Sequence, residues 1–484
     1  MRQRSSNANL VTRFAEFIPI VRWLPTYNPK WIGQEVIAAI TLTAFAIPES
    51  MAYAGLAGLA PQFGFYASML AVLTYAIFGT SRHVAFGPTS ALSIVVATSL
   101  TAAGIITTDD PKYYASMAAV LAILVAIIAL VSRILQLGFL VNFVSDSVLV
   151  GFSTGAGLYI ASTQLGKLFG IPKTSGEFFE RIWEIIVRLN ETNVPTLLIG
   201  ISGILLLWVL HLKFPRLPST LIVVILAIVL IGFTDLHQQG VKIVGTIPPG
   251  LPHFAVPSFG LPEVRRLLPG AFAVFILSYI EGMGVMRFLA KKHRYKVDAN
   301  QEFVALGVAN LICGLGSGFP VGGSMSRSAV NDQMEAKTPL STAMSGLILM
   351  IVLLFFTNLF TNLPEAILAA VVVIAVRRLI DIQELHRLYY VSRPEFAIAI
   401  VSLAGVLFFG VVNGVLIGVI LSILIVFSRA IYPQIAILGR IPNTGVFVDI
   451  KYHPEHEKIS RILIYQVHAI LFYANTPIIL EKLK

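Results

Sequence analysis

Between Pro48 and Leu100 the chain reads PESMAYAGLAGLAPQFGFYASMLAVLTYAIFGTSRHVAFGPTSALSIVVATSL. Apolar runs of membrane grade are interrupted by Pro48, Pro61 and Pro88, the last in a Gly-Pro step. Inside a bilayer a broken helix frees backbone N–H and C=O groups that lipid cannot satisfy. Such breaks persist only where protein buries them or where they line a cavity. A second broken stretch, rich in glycine, lies near residues 314–330. Matched breaks in the two halves of a membrane chain point to the binding site of a transporter.

Composition agrees with that frame. The 484 residues are 56% hydrophobic and 12% charged, and the mean hydropathy is +0.82. A soluble protein carries about 25% charged residues, so a polytopic membrane protein is expected. One cysteine, Cys313, excludes an internal disulfide and a cysteine-rich metal site. The N-terminus is polar and basic, and the first long apolar run opens near Trp31, so a cleavable signal peptide is not expected. The net charge of +10 fits basic residues at cytoplasmic membrane edges and calls for no nucleic acid. The motifs of phosphate-cradling loops, zinc hydrolases and nucleophile elbows are absent from the sequence. An enzyme is therefore not expected, nor is a cofactor or a metal.

Apolar stretches are read at 32–52, 63–79, 88–104, 114–132, 138–166, 195–211, 219–235, 267–290, 301–315, 324–333, 338–361, 363–378, 394–410 and 413–431. A full crossing takes about 20 residues, so 88–104 and 324–333 are too short to span alone. Arg2, Arg4, Arg13, Arg22 and Lys30 precede the first stretch. Arg82 follows the second and Arg133 the fourth, and Lys213 and Arg216 follow the sixth. Arg287 to Lys296 supply five more after the eighth, and Arg377, Arg378, Arg387 and Arg393 come after the twelfth. The positive-inside rule makes that side cytoplasmic and places both termini there. Loops on the other side are acidic or balanced, with Asp109, Asp110, Glu177 and Glu180. Fourteen segments divide into seven plus seven, and an odd number per half inverts one half against the other.

The expected fold is thus an all-α polytopic membrane protein, with a cytoplasmic segment over 1–30 and a transporter domain over 31–431. Its two repeats cover about 31–235 and 267–431. From Gly439 the composition turns polar, and ILIYQVHAILF followed by TPIILEKLK reads as the opening of a small α/β domain, taken with its linker over 432–484. That stretch is too short to bury a core of its own.

Three segments carry a family resemblance. PQFGFYASMLAVLTYAIFGTSRHVAFGPTS (61–90) resembles the signature of the SulP anion permeases, the sulfate permease family that includes the mammalian anion exchangers and prestin. RFLAKKHRYKVDANQEFVALGVANLICGLGSGFPVGGSMSRSAVN (287–331) resembles its second-half motif. GRIPNTGVFVDIKYHPEHEKISRILIYQVHAILFYAN (439–475) is similar to the linker and first strands of the family's STAS domain. The resemblance implies a core domain that moves against a gate domain, two half-helices meeting at mid-membrane, and a homodimer in a cell membrane. For a sequence of bacterial type this is the inner membrane. It also implies a small anion as substrate, sulfate favoured, moved by proton-coupled symport with elevator-like alternating access. Uncoupled exchange or channel activity, and bicarbonate or C4-dicarboxylate as substrate, remain open alternatives.

The resemblance puts the anion between the two breaks. Pro88, Thr89 and Ser90 open one half-helix, and Gly322 to Arg327 offer the same device in the other half. Free first-turn amides and the macrodipole make each N-terminus an anion seat, with proline suited to the first helical position. Arg327 is a basic residue inside a membrane-embedded break. It either supplies field to the anion or, near a helix end, snorkels or pairs with Glu281. Ser326 either donates a hydroxyl to the anion or packs between helices. Glu281, inside the eighth stretch, is expensive to bury unless protonated or paired, and it stands where proton-coupled members carry a glutamate. Glu49 takes a position that is glutamine in many members. Ionised, it repels an anion, so it is either protonated or points away, toward the cytoplasm or a cation. Tyr53, one helical turn on, shares its face and walls the pocket. Asn142 and Asp146 are expected on a polar gate face, where Gly151, Gly155 and Gly157 permit close helix contact. Asp298 and Glu302 are expected to cap a helix entry, and His83 to be a solvated loop residue.

Overall fold

A computed structural model describes residues 17–106, 110–138, 146–171, 176–214, 217–431 and most of 435–482. Asp109 and Asn142 lie outside the described residues. A short helix α1 (Ile20–Trp23) leads into α2 (Ile32–Leu56) and α3 (Pro61–Phe78). Strand β1 (Ala85–Gly87) then feeds α4 (Ser90–Ala102), followed by α5 (Pro111–Ile134), α6 (Asp146–Phe169), α7 (Phe178–Val187), α8 (Val194–Lys213) and α9 (Ser219–Gly232). The second half runs α10 (Leu261–Lys292), α11 (Ala299–Leu315), β2 (Gly322–Ser324), α12 (Met325–Gln333), α13 (Leu340–Phe355), α14 (Glu365–Val376), α15 (Ile382–Val391) and α16 (Arg393–Ile431). Among the described residues seven helices are long and apolar enough to cross a membrane, and α4, α9, α13 and α14 are shorter apolar helices.

Over the described residues each apolar stretch read from the sequence falls on a helix, with two differences in detail. Pro48 does not break its segment, because α2 runs continuously through it. The last two stretches form one element, α16, bent at Gly410, whose φ of 79° no side-chain-bearing residue adopts cheaply. Pro61, by contrast, sits at the first position of α3, where its missing N–H costs nothing.

The chain divides into two units, one reaching to Gly418 and one from Val419 onward. In the first, α2 to α5 pack with α10 to α13, and α6, α8 and α14 form a second group of mutually packed helices. Small residues set the closeness. Gly151 and Gly155 of α6 lie against the backbone of Ala399 and Leu403 in α16, too near for a Cβ. The second unit holds the end of α16, a three-stranded antiparallel sheet in the order β4 (Phe447–Asp449), β3 (Ile435–Arg440), β5 (Tyr465–Val467), and α17 (Thr476–Lys482).

Candidate functional site

The two breaks, more than two hundred residues apart in sequence, meet as a two-stranded antiparallel ribbon. Ala85 pairs with Ser324, Phe86 with Gly323 and Gly87 with Gly322. Each strand ends in a helix N-terminus. Thr89 caps α4, its side chain accepting from the Leu92 amide at 3.3 Å, and Ser324 caps α12, accepting from the Arg327 amide at 3.4 Å. Pro88 therefore precedes the cap and is not the first helical residue, which is Ser90. The ribbon satisfies the extended backbone that lipid would leave unpaired, and it orients both N-termini. Gly323 is required by the approach of Gly282 in α10, and Gly87 by the Arg327 guanidinium.

Arg327 is 1% exposed. Its Nε donates to Glu49 Oε2 at 3.1 Å, Nη1 to Ser68 Oγ at 3.1 Å and Nη2 to Ser50 Oγ at 3.2 Å. The ion-pair partner of Arg327 is thus Glu49 and not Glu281. The reason is side: Arg327 turns back from α12 toward α2, whereas Glu281 comes from α10 and accepts from Thr89 Oγ1 at 3.3 Å. Glu49 meets the alternative of a carboxylate turned toward a cation. Ser326 Oγ donates to Glu49 Oε1 at 3.3 Å and lies 3.2 Å from Ser324 Oγ. Tyr53 is buried at 3% exposure on the same helix.

Two cavities flank the N-terminus of α12. One of about 270 Å³ is lined by Ala91 in the first turn of α4, Met325 at the start of α12, Glu281 and Gly284 of α10, and Ser153 of α6. Asp381 also reaches it, with one oxygen accepting from the Glu384 amide. The other, about 50 Å³, lies between Glu49 and Ser326 on one side and His211, Ser219 and Thr220 on the other. Among the described residues Tyr53 lines neither. Among the described residues the lining of the larger cavity has two carboxylates and no Lys or Arg. Positive potential there comes from backbone N–H groups and helix dipoles, which hold an anion well only when the acids are neutral or engaged.

At the end of the bundle holding the α10–α11 turn, Asp298 caps α11 by accepting from the Asn300 and Gln301 amides. Glu302 accepts from the Thr80 amide at 2.7 Å and so ties that helix to the α3–β1 segment. His83 is 4% exposed, stacked on His293 at 4.1 Å, and is not the solvated loop residue expected. The Asn331 side chain donates to its carbonyl, and Asp332 binds both Lys292 and His293. The sequence reading missed Ser50 and Ser68, whose signal was a hydroxyl inside an apolar helix, and the α6 residues Leu149, Val150 and Ser153 in the larger cavity, which carry no distinctive residue type. Among the described residues no cluster of His, Cys, Asp and Glu is placed to hold a metal ion.

Comparison with known proteins agrees with this architecture. The model of the sulfate permease family matches residues 32–402. A protein of Mycobacterium tuberculosis named as a probable sulfate transporter is 35% identical over 95% of this chain and 82% of its own. The chloroplastic sulfate transporter 4.1 of Arabidopsis thaliana is 34% identical over 98% of this chain and 70% of its own. Among solved structures, SLC26A9 superposes with a TM-score of 0.90 at 26% identity, covering 99% of this chain and 78% of that one. The transmembrane domain of the cyanobacterial bicarbonate transporter BicA shares the fold at a TM-score of 0.69 and 21% identity. With its family model spanning most of the length and relatives this similar, the chain belongs to the sulfate permease family, whose members are membrane transporters and not enzymes.

Proposed function

We propose that this protein carries a small oxyanion, sulfate favoured, across a cell membrane together with a proton. The observation that carries the reading is the larger cavity: two helix N-termini and Glu281 share one space, and Arg327 is bound to Glu49. An anion and an ionised Glu281 repel each other there, so anion occupancy and protonation favour one another. That is a coupling free energy and must be reciprocal. Pro88, Thr89 and Ser90 with Ser326 form the seat in this reading. Arg327 neutralises Glu49 and adds field. The division of helices into two packed groups, with the seat on α4 and α12 and the opposing wall on α6, supports movement of one group against the other. The names of the relatives support sulfate.

The remaining parts of the proposal follow from charge and family. Both termini face the cytoplasm, residues 31–431 form the transporter domain, and 432–484 form the linker and part of a STAS domain. The protein works as a homodimer in lipid. The test is uptake into proteoliposomes of labelled sulfate, bicarbonate, chloride and a C4-dicarboxylate, with and without an inward proton gradient. Accumulation of one anion that depends on the gradient, lost in Glu281→Gln while exchange persists, supports the proposal. Gradient-independent movement in the unaltered protein would make it an uncoupled exchanger or channel.

A further inference from the structure

A third cavity, of about 260 Å³, lies at the C-terminal end of α6, away from the seat. Thr163 and Lys167 of α6, Thr196 of α8, Lys242 from the segment before α10 and Glu365 at the start of α14 line it. The segment is fixed to α14 by backbone bonds, with the Glu365 amide donating to the Lys242 carbonyl at 2.9 Å and the Val244 amide to the Leu363 carbonyl at 2.8 Å. Lys167 shares the cavity with Glu365 and Lys242. Among the described residues, however, it forms no ion pair or hydrogen bond. It lies beside Gly55 near the end of α2. Among the described residues two lysines and one carboxylate line the cavity.

The same face of α6 reaches the larger cavity. Ser153, Ala156, Ile160, Thr163 and Lys167 recur at intervals of three and four, which is one stripe of a helix. Ser153 and Ala156 line the larger cavity, Thr163 and Lys167 line this one, and Ile160 between them is 0% exposed. At 1.5 Å per residue Ala156 and Thr163 stand about 10 Å apart along the axis. Lysine at a helix C-terminus is commonly a dipole partner or a snorkelling side chain. Neither role places it in a cavity with a second lysine, unpaired, above a buried apolar plug on the stripe leading to the seat.

We propose that Lys167 and Lys242 form a capture site for small oxyanions at the outer mouth of the protein, from which the anion passes Ile160 to reach the seat. The inference rests on the transport reading for its purpose and on the opposite placement of the basic cytoplasmic clusters for its side. A cleft whose lysines outnumber its carboxylates raises local anion concentration and on-rate, so the site acts on external anion and not on internal anion.

The decisive measurement needs no transport. In a Cys313→Ala background, Thr163→Cys is modified from outside by an anionic (sulfonatoethyl) and by a cationic (aminoethyl) methanethiosulfonate. The anionic reagent is expected to be favoured relative to its reaction with a free thiol, sulfate outside is expected to slow it, and Lys167→Gln is expected to lower the anionic-to-cationic rate ratio by at least about fivefold. A ratio that Lys167→Gln leaves unchanged, or a Thr163→Cys variant whose new thiol does not react from outside, overturns the proposal. In proteoliposomes Lys167→Gln should raise the half-saturating external sulfate several-fold and leave efflux from inside unaltered, with Lys167→Arg behaving as the parent. Equal change on both faces would also overturn it. If the unaltered protein moves no anion, the transport reading fails, and the modification ratio still decides the site.

Discussion

The Glu49–Arg327 pair offers opposite signs for two neighbouring substitutions. Both side chains are nearly fully buried, so removing either leaves an uncompensated charge and costs about 3–5 kcal/mol of stability. Anion affinity should move in different directions. Ser326 Oγ lies 3.3 Å from Glu49 Oε1, and an anion taking that hydroxyl would approach it to about 2.8 Å. The anion then stands about 6 Å from the carboxylate, and at an effective dielectric of about 20 one unit charge is worth about 3 kcal/mol, or about a hundredfold. Allowing for hydration of the seat, about tenfold should remain. Glu49→Gln should therefore tighten anion binding about tenfold while weakening the fold, whereas Arg327→Gln should abolish most binding and uptake while weakening the fold similarly. The double variant restores neutrality, and its unfolding free energy should exceed the additive expectation by more than about 1 kcal/mol. The assays are denaturant unfolding in detergent and sulfate binding by isothermal titration, on all four members of the cycle. Additive stabilities, or affinity changes of the same sign in the two single variants, would refute the reasoning.

Gly87→Ala would drive a Cβ into the Arg327 guanidinium and toward Ser68; a loss of at least about 2 kcal/mol in unfolding free energy is expected, in line with overpacking of a filled interior. Burial and the stacked His293 push His83 down to about 4, with Asp332 opposing and Arg82 adding to the shift. An unfolded chain binds that proton near pH 6.5, so the contribution of His83 is present above pH 6.5 and is lost as the pH falls to 4, by about 3 kcal/mol. His83→Gln should flatten the unfolding free energy across that window, and an unchanged slope would count against the burial argument. For orientation, in a Cys313→Ala background, Lys112→Cys should be labelled by an impermeant thiol reagent from outside intact cells and Arg294→Cys only after permeabilisation. Both positions are exposed, and the reverse pattern would invert the topology.

What the sequence determined by itself was the membrane class, the run of helices and the two breaks. These follow from local composition: twenty apolar residues have few alternatives to a helix in lipid, and Gly-Pro or Gly-Gly before a short apolar run marks a helix start. The serines, the arginine and the glutamates of the site were visible because polar groups in apolar segments stand out. The strength of Pro48 as a breaker was misread, since a proline inside a buried helix can be carried when neighbours satisfy the freed carbonyl. The partner of Arg327 was not legible. Glu49 and Glu281 are both acids within a span, and which one faces the guanidinium depends on the direction in which α12 leaves the ribbon. The burial of His83 was hidden for a similar reason: a short polar loop looks solvated until the residues after α10 fold over it. The lysine at the end of α6 carried no signal either, because the cavity that gives it meaning is assembled from α6, α8, α14 and the segment around Lys242. Composition acts over a few residues and can be read along the chain, whereas the pairing of charges is settled by packing between elements hundreds of residues apart, and only the tertiary structure decides it.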